Sequence, residues 1–117
     1  MIVHLVLFKP RGNLKVDERR ALVAAFSEAV TKIPSVRRAR VGRRITHGRG
    51  YEQLMTVDYS YAAVLEFDDL PGLLAYLADP AHVQLGTRFF ESFDQALMYD
   101  FDLEEGLAGM DTLLDET

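Results

Sequence analysis

Ile2-Val3-His4-Leu5-Val6-Leu7-Phe8 is the stretch on which the fold turns. It is apolar on both parities, as suits a strand covered on both faces. One residue, His4, breaks the apolar run. An imidazole in such a strand needs a polar partner, because an unpaired buried polar group costs roughly 1–3 kcal/mol. Lys9-Pro10-Arg11-Gly12-Asn13 then ends the strand with turn-forming residues.

Beyond the turn, Leu22, Ala25, Phe26, Ala29, Val30 and Ile33 recur at the spacing of an amphipathic helix from Val16 to Ile33. Asp17 and Glu18 sit in its first turn, where negative charge suits the helix dipole, and Ile33-Pro34-Ser35 stops it. Val36 to His47 alternates weakly. Ala39, Val41 and Ile45 share one parity, Arg38, Arg40 and Arg44 the other, which predicts a strand with one basic face. A loop of undefined path follows to about Asp58. In the strand expected over Tyr59 to Phe67, Tyr61, Ala63, Leu65 and Phe67 line one side. Asp68 and Asp69 are candidate caps for a helix over Leu70 to Ala78, with Pro71 in a tolerated early position. A second helical piece, Ala81 to Phe93, follows Asp79-Pro80, and Asp94 to Phe101 reads as the last strand.

The order β-α-β-β-α-β predicts an α+β, ferredoxin-like sandwich with its helices on one side of an antiparallel sheet. The other sheet face is then bare. If His4 points to the helices, alternation sends Val3, Leu5 and Leu7 to that bare face. A large exposed apolar patch is unusual in a monomer. The pattern therefore predicts a two-fold homodimer in which two sheets face each other and close a dimeric α/β barrel.

The chain has 117 residues, 49% of them hydrophobic and 26% charged, which fits one globular domain with a single core. No apolar run approaches the ~18–20 residues that cross a bilayer, so no membrane role is expected. The opening run has no basic leader, so no signal peptide is expected either. The chain has no cysteine, which removes disulfides, thiolate metal sites and thiol nucleophiles. The net charge of −5 conceals an asymmetry. Residues 1–50 carry twelve basic side chains against three acids, a net +9, and residues 51–117 carry Arg88 against fifteen acids, a net −14. Such a split serves either self-association or two solvated surfaces within one subunit.

Four stretches in order resemble the stress-responsive A/B barrel (Dabb) family: the opening Met1-Ile2-Val3-His4-Leu5-Val6-Leu7-Phe8-Lys9, Ile33-Pro34-Ser35-Val36, Asp79-Pro80-Ala81-His82-Val83, and Met98-Tyr99-Asp100-Phe101. The resemblance covers residues 1–101 and leaves 102–117 as an acidic tail. It implies a ferredoxin-like protomer in a homodimeric barrel. A cytoplasmic location is expected, with which the absence of cysteine agrees. One plant member of the family closes a linear polyketide by aldol condensation without metal or cofactor. Matched position by position, the resemblance puts His4 and His82 on two of that enzyme's pocket histidines and Tyr76 on a pocket tyrosine. Tyr61 stands where the enzyme has a third histidine, and Phe26 where it has a helix tyrosine. Two polar groups of that pocket are thus replaced.

The candidate catalytic set is therefore His82 as base, His4 as its orienter or as a donor, and Tyr76 as a phenolic donor. Tyr61, Phe26, Phe8 and Leu85 are the expected ligand-lining residues. Such a set would make the protein a cofactor-independent lyase or cyclase on a carbonyl compound. Two other readings stand beside it. One is a stress-associated binding protein for a small apolar or aromatic ligand. The other is structural: His4 donates to a backbone carbonyl or to Tyr61, His82 anchors the loop after Pro80, and Tyr59, Tyr61, Tyr76 and Tyr99 are half-buried aromatics. His4, His47 and His82 lack metal-ligand spacing, so neither metal nor cofactor is expected. The arginines at 37, 38, 40, 43, 44 and 49 raise nucleic acid as a partner. The acidic total and the lack of interleaved aromatics favour a salt-bridged edge instead.

Overall fold

The structure, a computed structural model, describes residues 1–115. Strand β1 (Ile2–Pro10) leads to helix α1 (Val16–Lys32), β2 (Arg38–Arg43), β3 (Tyr61–Phe67), α2 (Leu70–Ala78), α3 (Pro80–Ser92) and β4 (Phe93–Asp102). The strands form one antiparallel sheet in the order β2-β3-β1-β4, the ferredoxin-like arrangement. Strand β2 is shorter than its alternation predicts, ending at Arg43, and Ile45 beyond it is 80% exposed. The loop to β3 contains a short 3-10 helix, Gly50–Leu54, held by Glu52, which accepts from the backbone N–H groups of His47 and Gly48. Among the described residues no helix is long and apolar enough to cross a membrane.

Helix ends follow local chemistry. Asp69 accepts from Gly72 N at 2.8 Å and caps α2, while Asp68 pairs with Arg37 at 2.7 Å instead. Asp79 accepts from Ala81 N at 2.9 Å, and Pro80 occupies the first turn of α3, where its missing N–H costs nothing. The chain therefore turns sharply between α2 and α3, which brings His82 back beside Tyr76.

The core lies between the sheet and the helices. Val6 and Phe8 of β1 and Ala63, Leu65 and Phe67 of β3 meet Ala29 and Ile33 at the end of α1, Leu73 and Tyr76 of α2, and Leu85 of α3. Side-chain alternation places His4 on this same face, with the ring 7% exposed. On the opposite face lie Val3, Leu5 and Leu7, in register with Ala62, Val64 and Glu66 on one side and Leu97, Tyr99 and Phe101 on the other. Val3 is already buried between its neighbours, but Leu97, Tyr99 and Phe101 are 37%, 55% and 47% exposed. A hollow of about 820 Å³ on this side is bordered by Leu7, Val64, Leu97 and Arg40.

The arginine group is largely neutralised. Arg37 pairs with Asp68, Arg44 with Asp58 at 2.7 Å, and Arg38 and Arg40 lie 3.8 and 3.6 Å from Glu66 Oε2. Past β4 the backbone of Leu103 hydrogen-bonds Met1, and Ala108–Asp111 and Thr112–Asp115 form short exposed helical turns.

Candidate functional site: a histidine–tyrosine cavity under helix α3

His4 finds its polar partner across the sheet. In the β1–β4 register it stands opposite Asp100, and its Nδ1 lies 2.6 Å from Asp100 Oδ1. This corrects the expectation of a backbone carbonyl or Tyr61. The carboxylate only accepts, so the His4 Nδ1–H donates, which leaves Nε2 as the other ring nitrogen. Asp100 thus orients the ring as the buried aspartate of a catalytic triad orients its histidine.

His82 is held by the backbone. Its Nδ1 lies 3.1 Å from the carbonyl oxygen of Leu77, at the end of α2. That oxygen can only accept, so Nδ1 carries the proton and Nε2 the lone pair. The expected anchoring of the turn after Pro80 is thus real, and it also fixes the tautomer. Burial pushes the His82 pKa below its ordinary 6.5, and the neighbouring His4 pushes the same way; the Leu77 carbonyl and Asp79 oppose the shift. The ring is neutral near pH 7.

Tyr76 lies between the two histidines. Its ring meets His82 edge-on at 4.7 Å between centroids and lies 6.1 Å from His4 and 5.3 Å from Phe67. It is 2% exposed, and among the described residues its hydroxyl has no hydrogen-bond partner. Burial pushes its pKa up to about 12, so the phenol keeps its proton at any physiological pH.

These three side chains line one cavity of about 320 Å³ between β1, β3, β4 and α3, walled by Leu85, Phe26, Phe89 and Met98. His82, His4, Tyr76, Leu85 and Phe26 are brought together as the sequence predicts. Phe8 and Tyr61 are not: they stack on each other at 5.5 Å, four residues along the strands from the His4–Leu65 pair, about 13 Å away at the usual rise per residue. They line a different cavity. Only the register of β4 on β1, which sequence does not supply, makes Asp100 the partner of His4. Among the described residues no three His, Asp or Glu side chains gather as a metal-binding group.

Comparison with known proteins agrees with this architecture. The profile of the Stress responsive A/B Barrel Domain matches residues 2–108. The chain belongs to this family. It is 24% identical over 98 residues to the stress-response A/B barrel domain-containing protein At5g22580 of Arabidopsis thaliana, covering 84% of this chain and 82% of that protein. A crystal structure of a dimeric protein of unknown function and ferredoxin-like fold from Bacteroides fragilis superposes with a TM-score of 0.61 at 27% identity, covering 87% of this chain and 95% of that one. A hydroxynitrile lyase from Passiflora edulis superposes with a TM-score of 0.71 at 14% identity, covering 90% and 94%. At that identity the likeness is one of fold.

Proposed function

We propose that this Dabb protein is a homodimer whose histidine cavity binds a small apolar or aromatic compound through a carbonyl or phenol oxygen. One observation carries the reading. Three polar groups without a hydrogen-bond partner among the described residues, the Tyr76 hydroxyl and the Nε2 atoms of His4 and His82, border a cavity lined mainly by aromatic and aliphatic side chains, with Asp94 and Gln95 also on its wall. Such pockets are the usual form of small-molecule sites. The dimer rests on the apolar face carrying Leu5, Leu7, Leu97, Tyr99 and Phe101, and on the dimeric state of the Bacteroides fragilis neighbour. A facing sheet would close the hollow beside Leu7 and Val64.

A second reading is favoured by the separated proton affinities of His82 and Tyr76. In it the site performs cofactor-free acid–base chemistry. His82 Nε2 takes a proton from the carbon next to the carbonyl. The C–H electron pair becomes the carbon–carbon double bond and the carbonyl π pair moves to the oxygen, where the Tyr76 hydroxyl donates to the developing enolate. His4 Nε2, on a ring that Asp100 orients, accepts from a hydroxyl of the compound. The hydroxynitrile lyase on this fold is a supporting analogy only.

Titration with a hydroxylated acetophenone tests binding, read by calorimetry and by the rise in melting temperature that binding to the native state produces. Binding that weakens in Tyr76→Phe and His82→Ala supports the site; no binding across a panel of aromatic ketones and phenols defeats it. Exchange of the ketone's α-protons in D2O separates the two readings. Acceleration by the wild type, lost in His82→Ala, makes the site catalytic, and binding without acceleration makes it a binding site.

A further inference from the structure

A second cavity lies beyond the aromatic wall of the first, between α1, β2 and the start of β3. It encloses about 590 Å³, and Phe26, Phe89 and Phe93 border both cavities. Its floor is aromatic: Phe8 and Tyr61 stack with ring planes only 10° apart, and Phe89 and Phe93 approach Phe8 at 5.4 and 4.7 Å. One helical stripe of α1, formed by Arg19, Leu22, Val23 and Phe26, makes the facing wall. Val23 and Val41 border it yet are 68% and 49% exposed, so apolar surface here stands uncovered.

The charge around this cavity is one-sided. Three arginines, Arg11, Arg19 and Arg43, are among its lining residues, and no carboxylate is. Arg43 lies over the Tyr61 ring at 5.9 Å, and among the described residues neither it nor Arg19 has an ion-pair partner. Arg11 reaches Glu18 through Nη2 at a loose 3.8 Å, while its Nε is buried without an acceptor among the described residues. A buried guanidinium N–H without an acceptor is uncommon and marks a place where a missing acceptor belongs.

We propose that this second cavity binds an aromatic carboxylate, with the ring against Phe8 and Tyr61 and the carboxylate between Arg11 and Arg43. The planar stack sets a preference for a flat ring system, and the guanidinium forks match a carboxylate. The site is separate from the histidine cavity and does not depend on any chemistry there.

The test is calorimetric titration of the full chain with 2-naphthoate, with the neutral 2-naphthamide as comparison. The wild type should bind the acid at least about tenfold more tightly than the amide, and Arg43→Gln and Arg11→Gln should each remove most of that difference. His82→Ala should leave naphthoate affinity unchanged. Melting temperatures of the variants show whether each is folded, and Arg43→Gln, an exposed position, keeps the test usable if Arg11→Gln is unstable. Equal affinity for acid and amide overturns the proposal, as does a naphthoate affinity indifferent to both arginines. Loss in His82→Ala with the arginine variants unaffected would move the ligand to the first cavity, overturning this proposal while leaving the reading of that cavity intact. Displacement of naphthoate by equimolar inorganic phosphate would overturn the aromatic part.

Discussion

The Nδ1 of His4 and the Oδ1 of Asp100 lie 2.6 Å apart although 96 residues separate them in the chain. The pair joins the first strand to the last, and its His4 member lines the histidine cavity. The Asp100 side chain is 45% exposed, so solvent weakens the interaction, while the His4 side chain is only 9% exposed. Asp100→Ala leaves a buried ring N–H without its acceptor. The expected loss is about 1–2 kcal/mol of unfolding free energy, measured by urea denaturation. Long-range proton–nitrogen NMR should show Nδ1 protonated in the wild type; a bare Nδ1 would contradict the orientation argued for His4.

Tyr76→Phe separates function from packing. The hydroxyl has no protein partner among the described residues, so its removal should change stability by less than about 0.5 kcal/mol. The ring contacts to His82 and Phe67 survive the substitution. Affinity for a ketone or phenol should nonetheless fall. A large stability loss with unchanged ligand affinity would make Tyr76 a core residue alone.

The depressed pKa of His82 ties stability to pH. The folded protein holds this ring neutral more firmly than the unfolded chain does, so the unfolded chain binds the extra proton first. The stability linked to His82 is therefore complete above about pH 6.5 and is lost as the pH falls from there through the lower folded-state value. Denaturation at a series of pH values should show that slope, and His82→Phe should flatten it. An NMR titration of the His82 ring with a midpoint above 6.5 would reverse the sign and remove the argument for a neutral base.

Much of the fold was legible because it follows from short-range rules. The parity of Ile2 to Phe8, the apolar stripe of α1, and Asp69 and Asp79 ahead of their prolines each carry their meaning within a few residues. The site was legible only in part. His4, Tyr76, His82, Phe26 and Leu85 converge because β1, α1 and the α2–α3 turn are placed by that pattern. Tyr61 and Phe8 share the helix-facing side of the sheet but lie at another level of it, and a face is what alternation determines, not a level. The role of Asp100 depends on how β4 registers on β1, a property of two strands far apart in sequence.

The sheet also bears on how two protomers meet. Its outer face carries Arg38 and Arg40 on the edge strand β2 and Leu97, Tyr99 and Phe101 on the opposite edge strand β4, whose Asp100 and Asp102 lie on the helix side. A two-fold axis between facing sheets and parallel to the strands reverses the strand order of the partner, so β2 of one sheet, with Arg38 and Arg40, would lie over the apolar β4 of the other. The like charge of Arg38 and Arg40 disfavours an arrangement that stacks β2 on β2. The apolar centre around Leu5, Leu7 and Tyr99 should supply most of the affinity, with little dependence on salt. Sedimentation at low micromolar concentration should therefore show a dimer that persists as salt rises from about 0.05 to 0.5 M. Leu5→Glu should produce a monomer at every salt concentration, because a buried unpaired carboxylate opposes closure of the two sheets. A stable monomer of the wild type at that concentration would remove the dimer, and a dimer lost at high salt would remove the apolar centre as its main support.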